Sequence, residues 1–329
     1  MNSLELFKTQ KFYQIDISIL KDLGYDVLLS NRIFDSLLFW KYDILFSYFY
    51  RYSFFAALLA KCFGKKTYFT GGIDSLDSDY ASAFNYKIQA LFFKLCYWVA
   101  DSCIIVSQSD LKNIFKVSSL KKKLSYSEHV INTKLFIADV PKEKIFTSIV
   151  WMGDEGNVVR KGVDKALQIF AELKKIPEFV DYRFVIIGRK GEGEVLVRSI
   201  IDKYNLKGSV ELKGEVSEED KINLLKQSKY YFQLSLYEGF GLAALEALCA
   251  NNIIIHSGKG GLANPIYKEQ LLFDIDNDFD SELLKLVNKL ACFTPITSYD
   301  NLLEYYDIQR RKDDFEAIIV NGKSNYKLK

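Results

Sequence analysis

Two runs of alternating strands and helices, parted by a polar stretch around Pro141, predict an α/β protein with two Rossmann-like, doubly wound halves. Three observations carry that expectation. Apolar runs of strand length alternate with runs of helical period, the pattern of parallel βα units. At 329 residues the chain exceeds what one hydrophobic core usually serves. The stretch Tyr230–Gly261 by itself reads as strand, glycine turn, helix and strand, a complete βαβ unit.

In the first half, Phe12–Leu23 sets Ile15, Ile19, Leu20 and Leu23 on one helical face, and Gly24 closes it. Strands are expected at Tyr25–Leu29 and Tyr42–Ser47, then a nearly all-apolar helix at Arg51–Phe63 ended by Gly64. Thr67–Thr70 reads as a strand entering the loop Gly71-Gly72-Ile73-Asp74. A helix at Phe84–Ala100, a strand at Ser102–Val106 and a helix at Gln108–Phe115 capped by Ser107 follow. Ahead of these, only Leu4–Phe7 could supply a further strand.

The polar segment Ile137–Lys144 places the boundary, giving an expected division into residues 1–140, 141–298 and 299–329. The second alternation is strand Ile145–Met152, helix Val163–Lys175, strand Tyr182–Ile187, helix Glu194–Tyr204, strand Ser209–Lys213 and helix Glu218–Gln227. Strand Tyr230–Leu236, helix Leu242–Cys249, strand Asn252–His256, strand Leu271–Phe273 and helix Phe279–Leu290 continue it. A last helix is expected over Tyr299–Val320.

Composition excludes several classes. A net charge of +2 offers no argument for nucleic acid. Residues 1–145 are the basic part, with 19 Lys and Arg against 14 Asp and Glu, and are rich in aromatics. That asymmetry suits a membrane surface or an anionic partner. The five cysteines are odd in number and widely spaced in apolar runs, as expected of buried free thiols in a reducing compartment. The start MNSLELFKTQ lacks a signal-peptide core, and no apolar run reaches bilayer length. A cytoplasmic protein is expected, with contact at the inner membrane face open to it; the oligomeric state is not legible.

Chemistry concentrates in the βαβ unit. Its turn, Glu238-Gly239-Phe240-Gly241, lets the backbone approach a ligand at a helix N-terminus, where free amides and the dipole favour phosphate. Glu238 and Glu246 flank that turn, one in the loop and one a turn into the helix.

This stretch resembles the donor-binding signature of GT-B glycosyltransferases of the retaining family 4 type, which sets two glutamates as E-x7-E around a Gly-Phe-Gly turn. Val106-Ser107, His129-Val130-Ile131-Asn132 to Phe136, Arg160-Lys161-Gly162 and Ile186-Ile187-Gly188 are similar to further family segments, in the family's order, over about residues 100–290. The resemblance implies a GT-B fold: two Rossmann-like domains facing a cleft, with a C-terminal helix crossing back to the first. It also implies transfer of a sugar from a nucleoside diphosphate to a saccharide or lipid-linked acceptor, with retention, no cofactor and no metal.

By that resemblance Glu238 would hold the transferred sugar and Glu246 the ribose. Amides of Gly239, Phe240, Gly241 and Leu242 would meet the diphosphate, with Lys161 and Arg160 as its cations. Gly153, Gly188 and Arg189 would complete the donor side. Lys259, Gly260, Gly261, Gly71, Gly72 and Asp74 are further candidates. The sequence departs from the family at Asp154, where an arginine is common, and at the Thr70–Asp74 loop, which has no histidine. The alternative functions are a GT-B-like sugar-nucleotide epimerase and a non-catalytic partner subunit of another transferase.

Other features have plainer readings. Asp77-Ser78-Asp79 has the form of a metal-binding D-x-D, but a polar loop explains it. The acidic run Asp274–Asp280 suits a turn and a helix start. His129 and His256 are expected as scaffold residues ending strands, and Arg160 with Lys161 as a charged helix start. The aromatic run Phe34–Phe63 is mostly core; a membrane-facing part of it would find its electrostatic complement in Lys121-Lys122-Lys123.

Overall fold

A parallel sheet organises each half of the chain. The computed structural model describes residues 3–137, 140–293 and 300–323. The chain divides into two units at Ile131/Asn132 and again at Leu303/Glu304.

The first unit opens with helices α1 (Ser3–Thr9) and α2 (Lys11–Asp22). It continues β1 (Ile44–Tyr48), α3 (Ser53–Cys62), β2 (Lys66–Thr70), α4 (Ala83–Val99), β3 (Ser102–Ile105), α5 (Gln108–Val117) and β4 (Leu124–Tyr126). The four strands pair in the order β1-β2-β3-β4, all parallel. One core joins buried residues of α3, α4 and α5 with Phe69, Cys103 and Leu124 of the strands. A second core joins Ile19 and Leu20 of α2 and Tyr68 and Ile104 of the sheet with Phe315, Ile318 and Ile319 from the far end of the chain. Those last residues belong to α13 (Ile308–Phe315) and to the π-helical turn Glu316–Val320. The expected return of the C-terminal segment to the first domain is therefore present.

The second unit holds β5 (Glu143–Ile149), α6 (Glu155–Arg160), α7 (Val163–Leu173), β6 (Arg183–Ile187), α8 (Glu194–Lys203), β7 (Val210–Gly214), α9 (Glu218–Gln227) and β8 (Ser228–Gln233). Then come α10 (Leu242–Cys249), β9 (Ile253–His256), β10 (Leu271–Leu272) and α11 (Phe279–Cys292). Its strand order is β10-β9-β8-β5-β6-β7. The chain starts at the middle, winds out to β7, and returns beside β5 to wind the other way. At such a reversal the crevice outside the strands' carboxyl ends is open to ligands. Phe146 anchors the core between the stacked rings of Tyr230, at 4.6 Å, and Phe232, at 5.1 Å. Fully burying one such side chain contributes roughly 1.5–3 kcal/mol.

The structure corrects several expectations. Leu4–Phe7 is not a strand but lies within α1, where the Phe7 ring reaches Tyr13 at 4.6 Å and Tyr48 at 6.0 Å. Tyr25–Leu29 forms no strand. The Tyr25 amide instead donates back to the Leu20 carbonyl at 3.1 Å, closing α2 around Gly24, and Leu28 and Leu29 are exposed. The short β4 and helix α6 had no signal in the apolar pattern. His129 ends no strand; it sits in the loop after β4 against the Phe12 ring. Arg160 and Lys161 stand at the end of α6, not at a helix start, and there cations suit the dipole. Cys62 is exposed at the last position of α3, whereas Cys96, Cys103 and Cys249 are buried. The final helix is broken into α12 (Asp300–Tyr305), α13 and the π-turn; its expected start at Tyr299 lies outside the described residues, as does the Cys292 side chain.

Candidate active site

The expected donor residues gather at the carboxyl edge of the second sheet. β8 ends at Gln233, and five residues later Glu238 turns back over it. Three donors converge on the Glu238 Oε2: Lys161 Nζ at 2.7 Å, Ser235 Oγ at 3.1 Å and Gln233 Nε2 at 3.2 Å. The Lys161 and Glu238 side chains are 20% and 17% exposed, so the pair is sheltered yet reachable from solvent.

Backbone stitching aims Lys161. Its amide closes α6 on the Asn157 carbonyl, and the preceding Arg160 carbonyl accepts from the Leu236 amide at 2.8 Å. Gly162 follows with φ of +68° as the N-cap of α7, and a Cβ there would stand 2.0 Å from the Leu234 carbonyl oxygen. No other residue permits so close an approach of the two loops. Arg160 turns its fork onto Asn157 Oδ1, at 2.7 and 3.2 Å. Asp154, where the family commonly has arginine, caps α6 by accepting from the Asn157 amide at 2.7 Å. The departure thus has a local structural role.

α10 begins directly after the glycine turn. Gly241, with φ of +90°, is its N-cap, Leu242 its first residue, and Phe240 is buried beside it. The leading amides of an α-helix have no partner within the helix, and its dipole adds partial positive charge there. The loop after β9 braces this turn: the Gly261 amide donates to the Glu238 carbonyl at 2.5 Å, and Gly260 lies against the same carbonyl. Gly260 and Gly261 thereby shape the turn. The Lys259 ammonium is paired with Asp276. Gly153 follows β5, and Gly188 with Arg189 follows β6, where the Arg189 carbonyl accepts from the Met152 amide.

Glu246 is 6% exposed, and both its oxygens accept from Lys221 Nζ at 2.8 Å. Lys221 also reaches Glu218 at 3.1 Å. Sequence reasoning missed Lys221, which lies 25 residues before Glu246 and looks like any helix lysine. Gln233 and Ser235 were missed too, although they are the two polar residues at alternate positions in the apolar run Tyr230–Leu236, which reads as a strand with both on one face.

Gly71, Gly72 and Asp74 lie in the first unit, at the carboxyl end of β2, where Asp74 opens a short 3-10 turn. Asp77 accepts from the Asp79 and Tyr80 amides and from Asn113, the bonds of a closed polar loop. Asp278, in the acidic run, caps α11. Among the described residues no group of three His, Cys, Asp or Glu is arranged to hold a metal. Burial pushes the His256 imidazole down to about 4, so it is neutral near pH 7; it ends β9 against the Tyr267 ring.

Residues 156–290, which hold Lys161, Glu238 and Glu246, match the family model described as glycosyl transferases group 1. Over 163 residues the chain is 32% identical to a GDP-mannose:cellobiosyl-diphosphopolyprenol alpha-mannosyltransferase of Xanthomonas oryzae, covering 43% of this chain and 40% of that protein. Over 105 residues it is 30% identical to a subunit of the human phosphatidylinositol N-acetylglucosaminyltransferase, covering 32% and 21%. The chain thus spans less than half the length of these two relatives. Among solved structures, Anabaena HepE in complex with UDP superposes with a TM-score of 0.69 at 13% identity, covering 87% of this chain and 81% of that one. Sucrose-phosphate synthase of Thermosynechococcus elongatus does so with 0.62 at 18%, covering 98% and 78%. The fold is that of the GT-B glycosyltransferases, and the stretch that matches the group 1 family model lies within the second unit.

Proposed function

We propose that the protein moves a sugar from a nucleoside diphosphate to a saccharide or lipid-linked acceptor, with retention and without a metal, in surface polysaccharide or glycoconjugate synthesis. The observation that carries this reading is the convergence of Lys161, Gln233 and Ser235 on Glu238 beside the α10 N-terminus, at the sheet's reversal point. The second unit would bind the donor and the first the acceptor. The relatives named for GDP-mannose and for a diphosphopolyprenol acceptor, and the neighbour bound to UDP, support a nucleotide-sugar donor.

The chemistry follows from the charges. As the glycosidic bond breaks, negative charge grows on the leaving diphosphate. Fixed amides at Phe240–Leu242 and the Lys161 ammonium stabilise that charge without reorganising, which is where preorganised groups lower a barrier most. Glu238, held on one oxygen by three donors, orients the sugar's hydroxyls. Glu246 orients the ribose, and Arg160 stands by as a second cation. Retention follows from attack on the face the diphosphate leaves, assisted by that phosphate, so no enzymic nucleophile is required.

The test is transfer or donor hydrolysis by wild type and by Glu238→Gln and Lys161→Met. Each variant is expected to lose about 10²–10³-fold in kcat while still folding, the scale of losing one preorganised charge partner. Unchanged turnover in Glu238→Gln would sink the site assignment. A second reading is that the chain works as one component of a larger transferase, favoured by the relatives named as subunits. It predicts turnover only after a partner chain is added.

A further inference from the structure

We propose that the edge of the first sheet where its strands begin is a docking surface for an anionic membrane. Four loops enter β1, β2, β3 and β4 there, and parallel pairing puts them side by side. These are residues 38–43, 61–66, 98–101 and 119–123. Together they hold seven lysines (41, 61, 65, 66, 121, 122 and 123), two aspartates and no glutamate, a net charge of +5. Both aspartates are already neutralised: Asp43 by Lys65 at 3.2 Å and Asp101 by Lys61 at 2.9 Å.

Large apolar side chains stand among those cations. Trp40 and Trp98 are 66% and 67% exposed, and Phe39, Phe63 and Leu120 are exposed as well. Phe39 stacks on Phe63 with centroids 4.2 Å apart and meets Trp40 at 5.2 Å, which ties the first two loops together. Lys123 Nζ donates to the Trp98 carbonyl at 2.9 Å, tying the last two. Lys61 bridges from the end of α3 to Asp101, joining the pairs into one continuous edge.

A charge-complementary occupant must be anionic, and exposed tryptophans need one that also accepts apolar rings. A headgroup layer over acyl chains offers both. Indole rings settle at that boundary, and lysine stems lie along it with the ammonium in water. An acidic protein would have to match both the lysines and the rings of four separate loops with one complementary surface, whereas a fluid headgroup layer adapts to them. The surface goes beyond the transfer reading and does not depend on it, since vesicle binding needs no donor; its failure would leave glycosyl transfer standing.

The protein carries three tryptophans, and two of them lie on this edge, so Trp151→Phe leaves only the edge reporters. Vesicles of phosphatidylcholine alone and with roughly one third phosphatidylglycerol are mixed with the 329-residue chain, sedimented, and followed by tryptophan emission. Binding to the anionic vesicles alone is expected, with a blue shift in Trp151→Phe. It should weaken at least about tenfold in high salt and in Lys121→Glu/Lys122→Glu. Trp40→Ala/Trp98→Ala should also weaken it, with melting temperatures unchanged. Three results would each overturn the proposal: no binding to anionic vesicles at low salt, equal binding to neutral ones, or binding without a blue shift in Trp151→Phe. The last needs no edge variant, so it stands even where a charge reversal impairs folding.

Discussion

In the second unit six strands wind both ways from β5, and each face of the sheet is covered by helices that the same stretch of chain supplies. In the first unit four strands follow one another in simple order, so the connecting helices α3, α4 and α5 share one face. The other face is closed by the two ends of the chain: α2 from the start and α13 with its π-turn from the finish. The second unit is self-contained, whereas the first depends on contacts nearly three hundred residues apart, such as the hydrogen bonds between Asp16 and Arg311.

That pair is the sharpest place to break the comparison. Arg311 is fully buried and donates to both Asp16 oxygens, at 2.6 and 2.9 Å, to the Ser127 carbonyl at 2.6 Å and to the Glu128 carbonyl at 3.1 Å. Tyr48 adds a donor to Asp16. Arg311→Met leaves a buried carboxylate unpaired, which costs about 3–5 kcal/mol. Hydrogen exchange is expected to accelerate in β2 and β3 and to stay slow in β5 and β8. Equal acceleration in both sheets would show the units to be one cooperative block.

Each unit also buries one histidine, which gives the comparison a pH arm. Burial drives His256 down to about 4 and His129 well below its ordinary value. Unfolded, each takes up a proton near pH 6.5, so the unfolded chain binds more protons between pH 6.5 and 4. Stability contributed by the neutral imidazole is therefore full above pH 6.5 and falls as pH drops toward 4, by roughly 2–3 kcal/mol for His256. Melting temperature against pH should fall less steeply in His256→Asn, with a residual slope from His129. An unaltered slope would mean that carboxylates, not this ring, dominate the acid response.

The smallest expected effect lies within the second unit. Lys221→Met frees Glu246 from its ammonium, and the carboxylate loses the orientation that the proposed ribose contact needs. KM for the donor should rise about 5–30-fold, the scale of 1–2 kcal/mol, with kcat nearly unchanged and partial rescue by Lys221→Arg. A fall in kcat at constant KM would assign Lys221 to the chemical step.

Most elements of the second unit were legible because their strands are buried on both faces and read as continuous apolar runs, such as Phe184–Ile187 and Ile253–Ile255. The glutamate pair and glycine turn were legible because spacing within one loop and helix is local information. Tyr25–Leu29 misled for the opposite reason. Its half-buried pattern comes from packing on α2 and Phe315, and no strand partner accompanies it. Lys221 and Arg311 carried no signal at all, since a lysine or arginine on a helix is usually solvated, and only long-range contact makes these two otherwise.

The amino-acid sequence by itself determined where strands and helices alternate, the glycine turn that starts α10, and the two carboxylates beside it. Each of these depends on neighbours within a few residues. Tertiary structure alone decided which cation meets which carboxylate, since Lys161 and Glu238 are 77 residues apart, and Lys221 and Glu246 are 25. It alone also gathered four strand-entry loops into one basic, aromatic edge. Pairing strands in parallel brings distant loops together, and no local pattern records that.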